Sequence, residues 1–231
     1  MLVRGVVLSN TSMGQYSRGH CTNILVNPNS PDAHQVRPRL IGNSNLYRNS
    51  LGDEAYINTY WHVGRWVELD LQEVPEQQKR ITHPEDRILN GQVTMFKDVW
   101  NHQQIIAAVK HLTFDSINEA LPFISNGGWS GGSKRFTPQD VANPRSVAYV
   151  RARSFEMKNE KDAVFTDLKG NTVVAPLKDQ PLLEKFFKQG IQLRASPNPI
   201  IVRCALGNPF VDNPPPRCWL MISWASTEEA V

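Results

Sequence analysis

The chain has 231 residues, 40% of them hydrophobic, enough to bury a core without staples and to fill one large domain or two small ones. Three scattered cysteines, Cys21, Cys204 and Cys218, cannot make a disulfide framework, and no run of about 18 apolar residues is present to cross a membrane as a helix. A formal charge of +3 does not by itself announce a nucleic-acid partner, and a start without a cationic leader does not read as a signal peptide, so a reduced, cytoplasmic protein is expected.

Residues 3–8 form a β-branched run interrupted by Gly5, and residues 21–26 form a second that ends at Asn27-Pro28-Asn29-Ser30-Pro31-Asp32, a strong turn signal. The two read as paired strands. Residues 35–41 alternate apolar and basic side chains before a loop at 42–53. From Trp66 the chain alternates at period two, placing Trp66, Glu68 and Asp70 on one face and Val67, Leu69 and Leu71 on the other, as in a half-buried antiparallel sheet.

Ile105, Ile106, Val109 and Leu112 give residues 103–112 a helical period, and residues 115–121 read as a second short helix behind a capping residue. Residues 126–135 hold four glycines and read as a loop. Strands return at 147–155 and 163–166, turn at Lys169-Gly170-Asn171 into 172–175, and are followed by a helix at 182–188. The last two strands, 200–206 and 218–224, flank the stiff Asn213-Pro214-Pro215-Pro216. Strands, then helices, then strands suggest two small β-barrels or one sandwich.

Charge is segregated along this order. Residues 1–48 hold Arg4, Arg18, Arg37, Arg39 and Arg48 against Asp32 alone, and residues 126–153 hold Lys134, Arg135, Arg145, Arg151 and Arg153 against Asp140 alone, a net +4 in each stretch. Tyr16, Trp61, Trp66 and Trp129 lie within or near these stretches. Aromatic faces and cations together suit base stacking and phosphate contact.

Other chemistries find less support. Gly127 and Gly132 have the separation of a P-loop, but Ser133 stands where its lysine belongs and no helical pattern follows. The histidines and cysteines lack ligand spacing, so no metal is expected, and Cys204 and Cys218 read as core packing. No Gly-x-Ser-x-Gly elbow, His-Glu-x-x-His motif or apolar carboxylate pair appears, so catalysis and a cofactor are not expected.

Leu8-Ser9-Asn10-Thr11-Ser12, Arg18-Gly19-His20-Cys21, Val36-Arg37-Pro38, Leu206-Gly207-Asn208-Pro209-Phe210 and Cys218-Trp219-Leu220 together resemble the bacterial dual OB-containing domain family, across nearly the whole chain. The resemblance implies a mainly β fold with a few helices: an OB-like barrel at 1–100, a helical connector at 101–125, and a second OB-like barrel with the glycine-rich loop at 126–231. It also implies a nucleic-acid or nucleotide ligand. The expected function is non-catalytic binding of single-stranded RNA or DNA through Asn10, Ser12, Arg18, Arg37, Arg39, Trp129, Lys134, Arg135, Arg151 and Arg153. The alternatives are a pocket for a nucleotide or modified base, with possible hydrolysis, built by Asn10, Ser12, Arg18, Cys21 and Arg37, or an adaptor subunit that contacts protein partners in a larger complex.

Overall fold

The computed structural model describes residues 1–12, 19–39, 46–47, 61–79, 83–121, 123–125, 135–138, 145–178, 193–194, 198–207 and 218–227. They divide into two compact units, Met1–Arg80 with Glu85–Ala108, and Ile81–Pro84 with Val109–Val231. The stretch expected as a connector is shared between them: helix α1 (His102–Val109) belongs to the first unit except for Val109, and strand β7 (Thr113–Phe114) and helix α2 (Ile117–Ala120) to the second.

The first unit is built from β1 (Leu2–Ser12), β2 (Gly19–Val26), β3 (His34–Arg39), the two-residue β4 (Leu46–Tyr47), β5 (Arg65–Glu73) and β6 (Asp86–Val99). β1 pairs antiparallel with both β2 and β5, β5 with β6, and β3 runs parallel to β6, so five strands close in the order β1-β2-β3-β6-β5-β1. With β4 set aside as a short addition to β2, this is the connectivity of an OB barrel. Period-two alternation fills it: Val67, Leu69 and Leu71 join Val3, Val7, Ile24, Val26 and Val36 in the interior, together with Trp61.

β6 is the longest described strand and has no counterpart in the sequence reading; it carries Asn90-Gly91, a pair that favours hairpin turns. The strand absorbs it in a bulge instead: Leu69 faces Val93 while Leu71 faces Leu89, so β6 takes two more residues than β5 over that interval.

The second unit repeats the connectivity without repeating the sequence. β10 (Val147–Met157), β11 (Asp162–Asp167) and β12 (Thr172–Pro176) form a meander, and β14 (Ile200–Leu206) pairs antiparallel with β10 and with β15 (Cys218–Thr227). A parallel bridge from Leu177 to Ile222, with Lys178 N donating to the Ile222 carbonyl at 2.8 Å, joins the end of β12 to β15 and completes a second OB-like circuit. The short β8 (Phe123–Ser125) and β9 (Arg135–Pro138) extend the sheet beyond β15, and the two-residue β13 (Leu193–Arg194) pairs with β10. Cys204 and Cys218 are packed in its core.

The helices end as their sequences dictate. Asn101 Oδ1 accepts from Gln104 N at 3.0 Å while Gln104 Oε1 accepts from Asn101 N at 2.9 Å, a reciprocal cap at the start of α1. The Ser116 hydroxyl accepts from Asn118 N at 3.2 Å at the start of α2, and buried Asp167 accepts from Ile117 N at 2.9 Å. The glycine-rich loop at 126–134, the helix at 182–188 and the prolines at 214–216 lie outside the described residues. No described helix is long and apolar enough to cross a membrane.

Two expectations follow from this packing. Gly5 sits where β1 meets β2 so closely that a Cβ would lie 2.5 Å from the Leu25 carbonyl oxygen and 2.7 Å from Ile24 Cγ2, so Gly5→Ala is expected to destabilise the first unit by about 1–3 kcal/mol in urea unfolding. In the second unit, burial pushes the Tyr149 phenol from 10.0 up to about 12, while Arg203, which hydrogen-bonds it, pulls the other way. A phenol neutral in the folded state up to about 12 contributes stability that is complete below pH 10 and is lost as pH rises toward 12. Between pH 9 and 11.5 the wild type is expected to lose about 2 kcal/mol more than Tyr149→Phe in denaturant titrations.

Candidate functional site

The outer face of β1, β5 and β6 carries the largest group of ring side chains among the described residues of the first barrel. Where Val67 points inward, its neighbour Trp66 points outward over β1, opposite buried Val6, and Arg4 lies two pairs further along, opposite Glu68. Met95 pairs with Val67 and packs on the core, which places Phe96 on the outside with Trp66. Trp100 follows directly after β6 and meets Trp66 edge to face, with centroids 5.2 Å apart and planes at 89°.

Arg4 completes the group. Its guanidinium carbon lies 4.0 Å from the Phe96 centroid and 5.3 Å from that of Trp66, both within cation–π range. Backbone geometry holds the far ring in place. Gly64, at φ +89°, accepts from Trp100 N at 2.8 Å and donates to the Val7 carbonyl at 2.8 Å, and a Cβ there would lie 2.3 Å from the Trp100 carbonyl oxygen.

Arg4, Trp66 and Trp100 form one side of an open groove of about 900 Å³, whose other walls are the β2–β3 turn at Asn27–Ser30, the end of β6 at Asp98 and Val99, and Gln104 of α1. Asn27 adopts φ +50° and its carbonyl accepts from Ser30 N at 2.9 Å, so the turn presents its amide side chains beside the rings. Among the described residues one cation, Arg4, and one anion, Asp98, line the groove, so that this lining is formally neutral. It offers ring faces, ring edges and amide groups to a planar, hydrogen-bonding ligand, and little attraction for a bare anion.

The arginines expected to form a cationic surface are placed otherwise. Arg37 and Arg39 are buried, and both turn to Asp86, which faces Arg37 across the parallel seam of β3 and β6. Arg37 Nε and Nη2 each lie 2.5 Å from Asp86 Oδ1, and Arg39 Nη1 lies 3.2 Å from Oδ2. They are interior groups, not surface contacts, because a guanidinium closed off from water is held by the nearest carboxylate.

In the second unit Arg151 pairs with Asp115 at 2.5 Å and Arg153 donates to the Leu168 carbonyl. Both brace the segment before α2 and the β11–β12 turn, where Leu168 N is shared between the Asp115 and Arg151 carbonyls at 3.1 and 3.2 Å. Arg145 lies 4.5 Å over the Phe114 ring. Asn10 and Ser12 sit on β1 opposite Thr22 and His20, and Arg135 on β9 opposite Trp219, but their side chains are outside the described set. Arg18, Trp129 and Lys134 lie outside the described residues altogether.

Of the aromatic residues singled out in the sequence, Trp66 lines the groove, Trp61 is in the barrel core, and Tyr16 and Trp129 are not described. Phe96, Trp100 and the amides of the Asn27 turn were missed. The signal that pointed to them was the outward phase of Trp66, which only needed a neighbouring strand to extend it. Among the described residues no three His, Cys, Asp or Glu side chains are grouped as metal ligands. The class of protein is thus one of two OB-like barrels. No protein-family model matches the chain, and no curated protein matches it.

Asp86 sets the stability of the seam. Asp86→Asn leaves two buried guanidiniums without their carboxylate and is expected to cost about 3–5 kcal/mol in chemical denaturation, far more than Asp98→Asn in the open groove.

Proposed function

We propose that this protein is a non-catalytic binder of single-stranded nucleic acid, cytoplasmic and of the dual OB-containing domain family, and that bases enter the groove bounded by Trp66, Trp100 and Arg4. The observation that carries the reading is this aromatic and cationic cluster on the wall of an OB barrel, a fold that takes oligonucleotides and oligosaccharides. Stacking on aromatic rings contributes about 1–3 kcal/mol per base and tolerates any sequence, since every base has a π-face. Arg4 supplies the only positive charge among the groove's described residues, so affinity rests on stacking more than on phosphate neutralisation.

That balance makes the reading quantitative. Fluorescence anisotropy with short labelled single strands is expected to show binding whose logarithm falls with log salt at a slope near −0.7, the value for about one neutralised phosphate. Trp66→Ala and Trp100→Ala are each expected to weaken binding by about 5- to 150-fold, and Arg4→Gln to flatten the salt slope. Absence of binding at both low and physiological salt, or binding by both Trp variants as tight as by the wild type, overturns the proposal. So does preferential binding of a neutral oligosaccharide in the same groove.

A further inference from the structure

Trp66 and Trp100 meet at 89°, so the two rings make a corner and not a flat platform. A base stacked on one ring stands at right angles to the other, which limits how it slides and which way its edge points. Stacking itself is indifferent to base identity. Selection among bases falls to the donors and acceptors on the surrounding wall.

That wall carries a carboxylate, a costly group where phosphates are to approach. Phe96, Asp98 and Trp100 alternate at the end of β6 and just beyond it, so Asp98 shares the outer face with the Phe96 ring and lines the groove with Trp66 and Trp100. Asp98 is exposed and, among the described residues, has neither an ion pair nor a hydrogen bond. No described contact accounts for it, and its charge opposes a phosphate backbone. Gln104 is committed at one end only. Its Oε1 accepts from Asn101 N at 2.9 Å in the cap of α1, which leaves Nε2 as the end that meets a ligand. The wall thus presents two adjacent acceptors from Asp98 and one donor from Gln104, all reachable from solvent as they stand.

Among the bases, this pattern suits one Watson–Crick edge. Guanine sets N1–H and N2–H2 side by side, with the O6 acceptor next to them. Adenine and cytosine each place a ring-nitrogen lone pair beside the amino group, and thymine and uracil flank N3–H with two carbonyls. A carboxylate facing any of these gains one bond and meets a lone pair, whereas facing guanine it accepts two.

We propose that the groove selects guanine, with N1–H and N2–H2 donating to the two oxygens of Asp98 and O6 accepting from Gln104 Nε2. This rests on the reading of the groove as a base site and adds which base it takes. A bidentate contact of this kind discriminates by about 5- to 150-fold, and an open groove where water competes belongs at the lower end.

The test is fluorescence anisotropy at fixed salt with labelled thymidine hexamers that carry one central guanine, adenine, cytosine or hypoxanthine, a single guanine being unable to self-associate as guanine runs do. The guanine strand is expected to bind about 5- to 20-fold more tightly than the adenine, cytosine and all-thymine strands. Hypoxanthine keeps O6 and N1–H but lacks N2–H2, and is expected to fall between. Asp98→Asn is expected to weaken the guanine strand and to strengthen the all-thymine strand, because it removes one of the two acceptors and the repulsion of phosphate together. A purely electrostatic role strengthens both, and a folding role weakens both. Guanosine monophosphate as competitor separates the sources: displacement at the strand's own affinity names the free nucleotide, and weaker displacement names guanine within a strand. Absence of binding by every strand overturns the base site itself and this proposal with it. Equal binding of the four bases, hypoxanthine as tight as guanine, or a guanine preference intact in Asp98→Asn overturns this proposal and leaves the base site standing.

Discussion

The first barrel depends on the parallel seam between β3 and β6. Every other pairing in that barrel is antiparallel, and the circle closes only because these two strands meet side by side. The seam places Arg37 opposite Asp86, and burial then makes their attraction strong: a carboxylate withdrawn from water binds the nearest donors tightly, and the two guanidiniums pay for their own desolvation through it. A charge that looked available for a polyanion in the sequence thereby becomes an internal fastener.

Alternation in β1, β5 and β6 divides labour between the two faces of one sheet. Inward residues such as Val67 and Leu69 fill the barrel, and outward ones, Arg4, Trp66 and Phe96, meet each other because the register brings them side by side. Trp100 joins them through the backbone bonds of Gly64, where a side chain would strike the Trp100 carbonyl. The groove is therefore rigidly furnished at its ring side. Its described lining is formally neutral, whereas the guanidiniums of Arg37 and Arg39 lie in the buried seam against Asp86.

The second unit shows how little sequence a connectivity needs. Its circuit of β10, β11, β12, β15 and β14 follows the same order as the first, yet its seam is a single bridge at Leu177 and Ile222 with one hydrogen bond from Lys178. Its buried cation is of a different kind. Arg203 pairs in register with Tyr149 on one side and with Trp224 on the other, and donates to the Ser223 hydroxyl. Arg151 and Arg153 serve local bracing around α2, so the two basic stretches of the chain have acquired different structural duties.

By itself the sequence determined the local order: the alternation that makes β5 a half-buried strand, the turn after β2, the short helices with their caps, and the burial of Cys204 and Cys218. These are legible because period and turn chemistry act between residues close in the chain. The resemblance added the pair of barrels, which the strand circuits bear out. Only the tertiary structure decided that Asn90-Gly91 is a bulge, that Arg37 and Arg39 face Asp86 some fifty positions away, and that Trp66 meets Trp100 and Phe96. The reason is physical. Whether a cation or a ring is a contact for a ligand or a strut depends on which distant strand lies beside it, and that is set by sheet register, which no local pattern encodes.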